Sequence, residues 1–258
     1  MEKSNSILII NPNSTKSMGE SILQAIPDLA FPQTKFDIFT SPSGPPSIND
    51  NETALESASI CLPLLEPLLD NFDGFIVACY SVHPLVEMLK SRTPKPVIGI
   101  FEASIITSLH QIGAHQQFGI ISTGKIWERL LTEGVHGFMS GVGNEYISDS
   151  GSCNRFSGVE TTGLNAKELH DAPPEELSKR LNDATKRLIK SSNGGLGAIC
   201  LGCAAMTELD TTIQHACVEE LGQEAGSRIK IIDGVVAAVD IILGQIISNP
   251  DLSRVNFK

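Results

Sequence analysis

The chain has no uninterrupted apolar run of the roughly 18 residues that a membrane-crossing helix requires. The nearest approach, Val235 to Ile247, is broken by Asp240, Gly244 and Gln245. A signal-peptide core is missing too. Met1-Glu2-Lys3-Ser4-Asn5-Ser6 passes directly into the short apolar stretch Ile7 to Ile10, and the expectation is a cytoplasmic protein that makes no use of a membrane. Positive charge is scarce: 19 Lys and Arg stand against 30 Asp and Glu, a formal net charge of -11. That field repels phosphate backbones and anionic head groups, so no nucleic-acid partner is expected. A second C-x-x-C is absent and the six histidines show no ligand spacing, which argues against a zinc centre.

What is present fits a compact enzyme-sized protein. Hydrophobic residues make up 41% and charged residues 19% of 258 positions, ordinary globular usage in a chain long enough for one large α/β domain or two lobes. Six cysteines without a secretory signal point to reduced thiols and not to a disulfide framework.

Short β-rich runs alternate with longer helical stretches, the order that builds parallel sheets covered by helices. The expected strands are Ser6 to Ile10, Thr34 to Thr40, Gly74 to Ala78, Val97 to Ile100, Phe118 to Ser122, Gly143 to Ile147, Ala198 to Leu201 and Ile229 to Ile232. Several are continuous apolar runs, as strands buried on both faces should be. The expected helices are Ser17 to Ala25, Thr53 to Leu69, His83 to Lys90, Glu102 to Gln111, Lys125 to Gly134, Pro174 to Ser191, Thr207 to Glu224 and Gly234 to Ile246. Ser41 to Ser47 and Asp149 to Gly158 read as surface loops from their Gly, Pro and Ser content. Gly194-Gly195-Leu196-Gly197 precedes its strand, so it reads as a turn and not as a phosphate loop. A division follows, with residues 1 to 101 plus 225 to 258 in one lobe and 102 to 224 in the other.

A weak internal repeat accompanies that division. Strand Ile7 to Ile10 runs into Asn11-Pro12-Asn13-Ser14-Thr15, and strand Gly74 to Ala78 runs into Cys79-Tyr80-Ser81. In the second half Phe118 to Ile121 runs into Ser122-Thr123-Gly124, and Ala198 to Leu201 runs into Gly202-Cys203-Ala204-Ala205. Cys79 and Cys203 are counterparts at strand ends, the edge where α/β folds place ligands. A following helix and nearby backbone N–H groups are expected to lower their thiol pKa values from roughly 8.5 toward neutrality. Cysteine is also among the most buried residue types. Cys200 inside its strand and Cys61 and Cys217 on helices read as core residues, and Cys153 falls in a loop. Cys200-Leu201-Gly202-Cys203 is not read as a redox pair, because its first cysteine lies within a strand and not at a helix start.

These residues together resemble the Asp/Glu/hydantoin racemase superfamily, in particular its hydantoin and allantoin racemase branch. The resemblance runs almost end to end. It is carried by Ile9-Ile10-Asn11-Pro12-Asn13-Ser14-Thr15, Ala78-Cys79, Val97-Ile98-Gly99-Ile100-Phe101-Glu102-Ala103, Phe118-Gly119-Ile120-Ile121-Ser122-Thr123-Gly124 and Leu201-Gly202-Cys203-Ala204-Ala205-Met206. It implies an α/β fold of two pseudo-symmetric lobes, each a mainly parallel sheet flanked by helices, with the active site in the cleft between them. Cys79 and Cys203 match the catalytic pair. Asn11, Ser81, Ser122, Thr123, Gly202 and Ala204 match substrate-binding positions. Where many bacterial members follow the first cysteine with Phe-Gly-Asp-Pro, this chain reads Tyr80-Ser81-Val82-His83-Pro84, a departure that touches substrate identity more than mechanism.

The chemistry implied is removal of a proton from C5 of a hydantoin-type ring by one thiolate and its return by the opposite thiol. The partner is then a small molecule, allantoin or a 5-substituted hydantoin; no cofactor or metal is called for, and a homo-oligomer is expected. Backbone N–H groups of Ser81, Thr123 and Ala204 are candidate donors to the enolate oxygen. Asn11-Pro12-Asn13 and Ser122-Thr123-Gly124 also have a plain reading as helix-entry turns. Glu102 reads as an acceptor for a turn joining the lobes, and His83 as either a substrate-orienting group or a helix-start residue. Alternatives on the same scaffold are an Asp/Glu-type racemase or a single-cysteine decarboxylase. The absence of a basic residue beside the cysteine motifs favours a neutral ring. A small-molecule binding or sensor protein is the non-enzymatic alternative.

Overall fold

The computed structural model describes residues 4–24, 26, 31, 33–141, 155–206 and 209–249. In chain order these form β1 (Asn5–Asn11), α1 (Lys16–Gln24), β2 (Thr34–Thr40), α2 (Asn51–Leu65), β3 (Gly74–Val77), α3 (Pro84–Lys90), β4 (Val97–Gly99), α4 (Ile100–Gln111), β5 (Gln117–Ser122) and α5 (Ile126–Ser140). They continue as β6 (Phe156–Thr161), α6 (Ala166–Asp171), α7 (Pro174–Ser191), β7 (Leu196–Gly202), α8 (Asp210–Leu221), α9 (Gln223–Gly226), β8 (Lys230–Ile232) and α10 (Gly234–Ser248). Two compact units result: residues 1–103 with 235–258, and residues 104–234.

The first unit holds a four-stranded parallel sheet in the order β2-β1-β3-β4. Ile7, Ile9 and Ile10 in β1, and Phe75, Ile76 and Val77 in β3, are fully buried, because both central strands are covered on both faces. Leu8, Ile10, Phe75 and Val77 pack with Ala58, Cys61 and Leu65 of α2 and Leu85, Val86 and Leu89 of α3. Helix α2 starts at a reciprocal capping box. The Asp50 carboxylate accepts from Thr53 N–H at 2.8 Å, and Thr53 Oγ1 accepts from Asp50 N–H at 3.2 Å, satisfying two otherwise orphan donors. The sequence suggested an unbroken helix to Leu69; instead the α-helix ends at Leu65 and continues as a 3-10 turn over Glu66–Asn71. Pro63 and Pro67 lack the N–H that further i to i−4 bonds need.

The second unit repeats the layout, with a parallel sheet in the order β6-β5-β7-β8. Its longest helix, α7, buries Leu181, Ala184, Thr185, Leu188 and Ile189, the i, i+3, i+4, i+7, i+8 stripe of an amphipathic helix. Leu181, Ala184, Leu188 and Ile189 share one core cluster with Ile121 of β5 and Ile199 and Leu201 of β7.

Two expectations are corrected here. Residues 225–234 belong to the second unit, because β8 within them pairs with β7 through Ala198↔Lys230, Ile199↔Ile231 and Cys200↔Ile232. The stretch expected to be loop as far as Gly158 already contains the start of β6. Gly158 has φ of +114°, and the pairing register shifts between Phe118 and Ile120, an irregularity that glycine tolerates and that breaks strand periodicity. The expected strand Gly143 to Ile147 and Cys153 lie outside the described residues. Among the described residues, no helix is long and apolar enough to cross a membrane.

Candidate active site

In a sheet ordered 2-1-3-4 the two inner strands end side by side, and in both units those ends carry the residues singled out from the sequence. In the first unit, β1 ends on Asn11, and Cys79 follows the end of β3 by two residues. In the second, β5 ends on Ser122, and Cys203 follows β7 directly. Asn11, Cys79 and Ser81 thus share the carboxyl edge of one sheet. Ser122, Thr123, Gly202, Cys203 and Ala204 share that of the other.

The Cys79 turn is held from several directions. Ser81 N–H donates to the Cys79 carbonyl at 3.0 Å, and the Ser81 hydroxyl lies 3.4 Å from Cys79 Sγ. Tyr80 turns inward and meets Phe101 edge-on, with centroids 5.6 Å apart. His83 is 2% exposed and caps α3, its Nδ1 accepting from Leu85 N–H at 3.3 Å. The ring proton is therefore on Nε2, which donates to Ser57 Oγ at 3.0 Å. The Ser57 hydroxyl in turn donates to the Ala54 carbonyl. Burial without a charged partner pulls His83 down to about 4, so it is neutral at working pH. Of its two sequence readings, the structure gives it the helix-start role. Because the Ser81 N–H is occupied by the Cys79 carbonyl, it is not the free oxyanion donor the sequence suggested.

Asn11 is fully buried. Its amide nitrogen donates to Asn13 Oδ1 and to the Thr15 carbonyl, each at 3.2 Å, while its Oδ1 has no hydrogen-bond partner among the described residues. Asn13 Oδ1 accepts from Thr15 N–H at 2.9 Å, an Asx turn leading into α1. The Ser41–Ser47 loop is fastened to this turn and is not free of it. Ser14 N–H reaches the Pro45 carbonyl at 3.0 Å, Ser14 Oγ the Gly44 carbonyl at 3.0 Å, and Thr15 Oγ1 the Pro46 carbonyl at 2.7 Å.

In the second unit the Ser122 hydroxyl donates to the Gly202 carbonyl at 2.7 Å. A Cβ on Gly202 would lie 2.6 Å from the Ile121 carbonyl oxygen, so this glycine serves close strand packing. The Thr123 carbonyl accepts from Gly163 N–H at 3.0 Å and from Thr162 Oγ1 at 3.4 Å. The loop after β6 therefore braces the Ser122-Thr123 turn, a contribution that the local sequence does not show.

Cys203 is followed by a 3-10 turn, Ala204–Met206, and not directly by an α-helix. Its sulfur accepts from Ala205 N–H at 3.4 Å. Part of Cys203 is accessible, yet the protein packed around it removes enough water to push the thiol up to about 11. The single backbone donor opposes this only weakly. The expected lowering toward neutrality is thus overturned for Cys203, because desolvation of the charged form outweighs the N–H contact. Cys200 is buried within β7, its sulfur 3.1 Å from Ser108 Oγ. Cys61 and Cys217 are buried on α2 and α8. Among the described residues no group of three His, Cys, Asp or Glu is placed to hold a metal ion.

Glu102, in the first turn of α4, lies against Gly99. Its Oε2 has no hydrogen-bond partner among the described residues, and burial raises its carboxyl to about 7.

Two parallel α/β units that each present a cysteine beyond the third strand of the sheet order define a duplicated, thiol-bearing scaffold. The chain belongs to the Asp/Glu/Hydantoin racemase family, whose model matches residues 7–242. An uncharacterised protein of Schizosaccharomyces pombe is 34% identical over 244 residues, covering 94% of this chain and 92% of that protein. A hydantoin racemase of Pseudomonas sp. is 26% identical over 234 residues, covering 90% of this chain and 82% of its own length. The structure of the allantoin racemase from Klebsiella pneumoniae shares the fold at a TM-score of 0.76 and 23% identity, covering 99% of this chain and 95% of that one.

Proposed function

We propose that this protein is a cofactor-independent racemase of a hydantoin-type ring, allantoin or a 5-substituted hydantoin, working by proton transfer between C5 and two cysteines. The observation that carries the reading is the equivalent placement of Cys79 and Cys203 beyond β3 and β7, in a chain of the racemase family. One thiolate removes the C5 proton, leaving a planar enolate. The other thiol protonates the opposite face, and the two exchange roles in the reverse direction. The high setting of Cys203, at about 11, suits it to begin as the acid, with Cys79 as the base.

The substrate class draws support from the alignment with a hydantoin racemase along most of this chain. Asn11 Oδ1 offers an acceptor of the kind that a ring N–H satisfies. A substrate with a side-chain carboxylate needs a cationic or N–H-rich cradle, and the cysteine motifs include neither Lys nor Arg.

The test is a panel of single enantiomers: allantoin, a 5-alkyl hydantoin, aspartate and glutamate, followed by optical rotation against the uncatalysed rate. Decay confined to the ring compounds is expected. Decay of aspartate or glutamate alone would replace the proposal with an amino-acid racemase, and no decay at all would favour a binding protein.

A further inference from the structure

We infer, resting on the reading of Cys79 as one of the two acid–base thiols, that Ser81 is a positioning residue whose hydroxyl holds the Cys79 thiolate. The separation of Ser81 Oγ and Cys79 Sγ is 3.4 Å. The backbone that carries the serine is fixed, because its N–H closes the turn onto the Cys79 carbonyl at 3.0 Å. Tyr80 stacked edge-on to Phe101 anchors the middle of that turn, and the His83 cap anchors its end. Ser81 is 4% exposed while Cys79 is half-buried. The hydroxyl thus meets the sulfur from a buried position, on a cysteine that is itself partly accessible.

The chemistry gives this contact a sign. A hydroxyl accepts a hydrogen bond from a thiol and donates one to a thiolate. The second bond is charge-assisted and roughly twice as strong, so the serine favours the ionised form. The buried Glu102 carboxyl, raised to about 7 by burial, lies against Gly99, the β4 partner of Val77. Cys79 packs against the apolar cluster that β1, α2, β3, α3 and β4 build between them. Buried titratable groups of α2 and of the α3 cap are Cys61, raised by burial, and His83, held neutral by burial. Glu87 and Lys90 on α3 are solvent-facing and paired with each other. Cys203 differs, since its sulfur accepts from the Ala205 backbone N–H, a donor that no side-chain substitution deletes. Ser81 thus gives the two thiols unequal support.

The experiment measures Cys79 alkylation by iodoacetamide across pH, by peptide mass spectrometry, in a Cys203→Ser background that removes coupling between the thiols. Ser81→Ala is expected to move the midpoint upward by about one unit, roughly a tenfold loss of rate below it. Ser81→Thr, which keeps the hydroxyl, is expected to restore the parent profile, with circular dichroism melts verifying the fold. Ser81→Gly supplies a second hydroxyl deletion should Ser81→Ala not fold. Profiles that superpose with and without the hydroxyl, or a Ser81→Thr shift as large as that of Ser81→Ala, would overturn the inference. The readout involves no substrate. Failure of racemisation with the shift intact would therefore sink the functional reading alone.

Discussion

The Ser122 hydroxyl and the Gly202 carbonyl meet at 2.7 Å, tying the ends of β5 and β7 together immediately before Cys203. The two strands approach so closely that Gly202 has no room for a side chain on the β5 side. Gly202→Ala is expected to destabilise the protein by about 1–3 kcal/mol, the usual cost of overpacking a tight contact. Chemical denaturation measures it. The neighbouring change Ala204→Gly, away from that contact, should cost far less.

Acid should weaken the protein through His83. Its folded value is about 4 against an ordinary 6.5, so the unfolded chain takes up the proton first as pH falls. The contribution is fully present above pH 6.5 and is lost as pH drops through 4, an effect on the order of 3 kcal/mol if the whole shift is expressed. Urea unfolding at pH 7.5 and pH 5 should show a smaller difference for His83→Asn, which keeps a capping side chain and cannot titrate.

Glu102 acts with the opposite slope. Its folded value near 7 lies above the ordinary 4.5, so the neutral carboxyl is tolerated and the carboxylate is not. Stability attributed to it is complete below pH 4.5 and declines as pH rises through 7. Glu102→Gln should be more stable than the parent at pH 8, by about 1–3 kcal/mol, and close to it at pH 4.5. Denaturation at the two pH values separates these outcomes.

Cys203 should behave as an unreactive thiol in the resting protein. With its value near 11, only about one part in a thousand is thiolate at pH 8. In a Cys79→Ser background, alkylation of Cys203 should be far slower than that of a free thiol at pH 8 and should climb steeply toward pH 11. A midpoint near neutrality would show that desolvation does not govern this sulfur.

Much of the fold was legible because buried parallel strands announce themselves as apolar runs, as Ile7 to Ile10 and Ala198 to Leu201 do. The pairing of strand ends with Asn11, Cys79, Ser122 and Cys203 could also be read, since strand-to-turn boundaries are marked by Asn, Pro, Ser and Gly. β6 is not legible because Ser157 and Gly158 interrupt its pattern, and the bracing of Thr123 by Thr162 and Gly163 depends on it. The Cys203 setting is hidden from the sequence for a different reason. Sequence shows which groups follow a cysteine along the chain, whereas desolvation comes from atoms packed around it in space. His83 was ambiguous until Ser57, distant in sequence, supplied the partner that fixes its tautomer.

The central claim, that two thiols exchange a proton at one carbon, is tested most directly by early time points in heavy water with a single enantiomer of allantoin or a 5-alkyl hydantoin. Two-base transfer predicts that the newly formed enantiomer carries deuterium at C5 while recovered substrate remains protiated, and that Cys79→Ser and Cys203→Ser each reduce conversion to the uncatalysed rate. Retention of protium in the product enantiomer, or full conversion by either variant, would contradict the account.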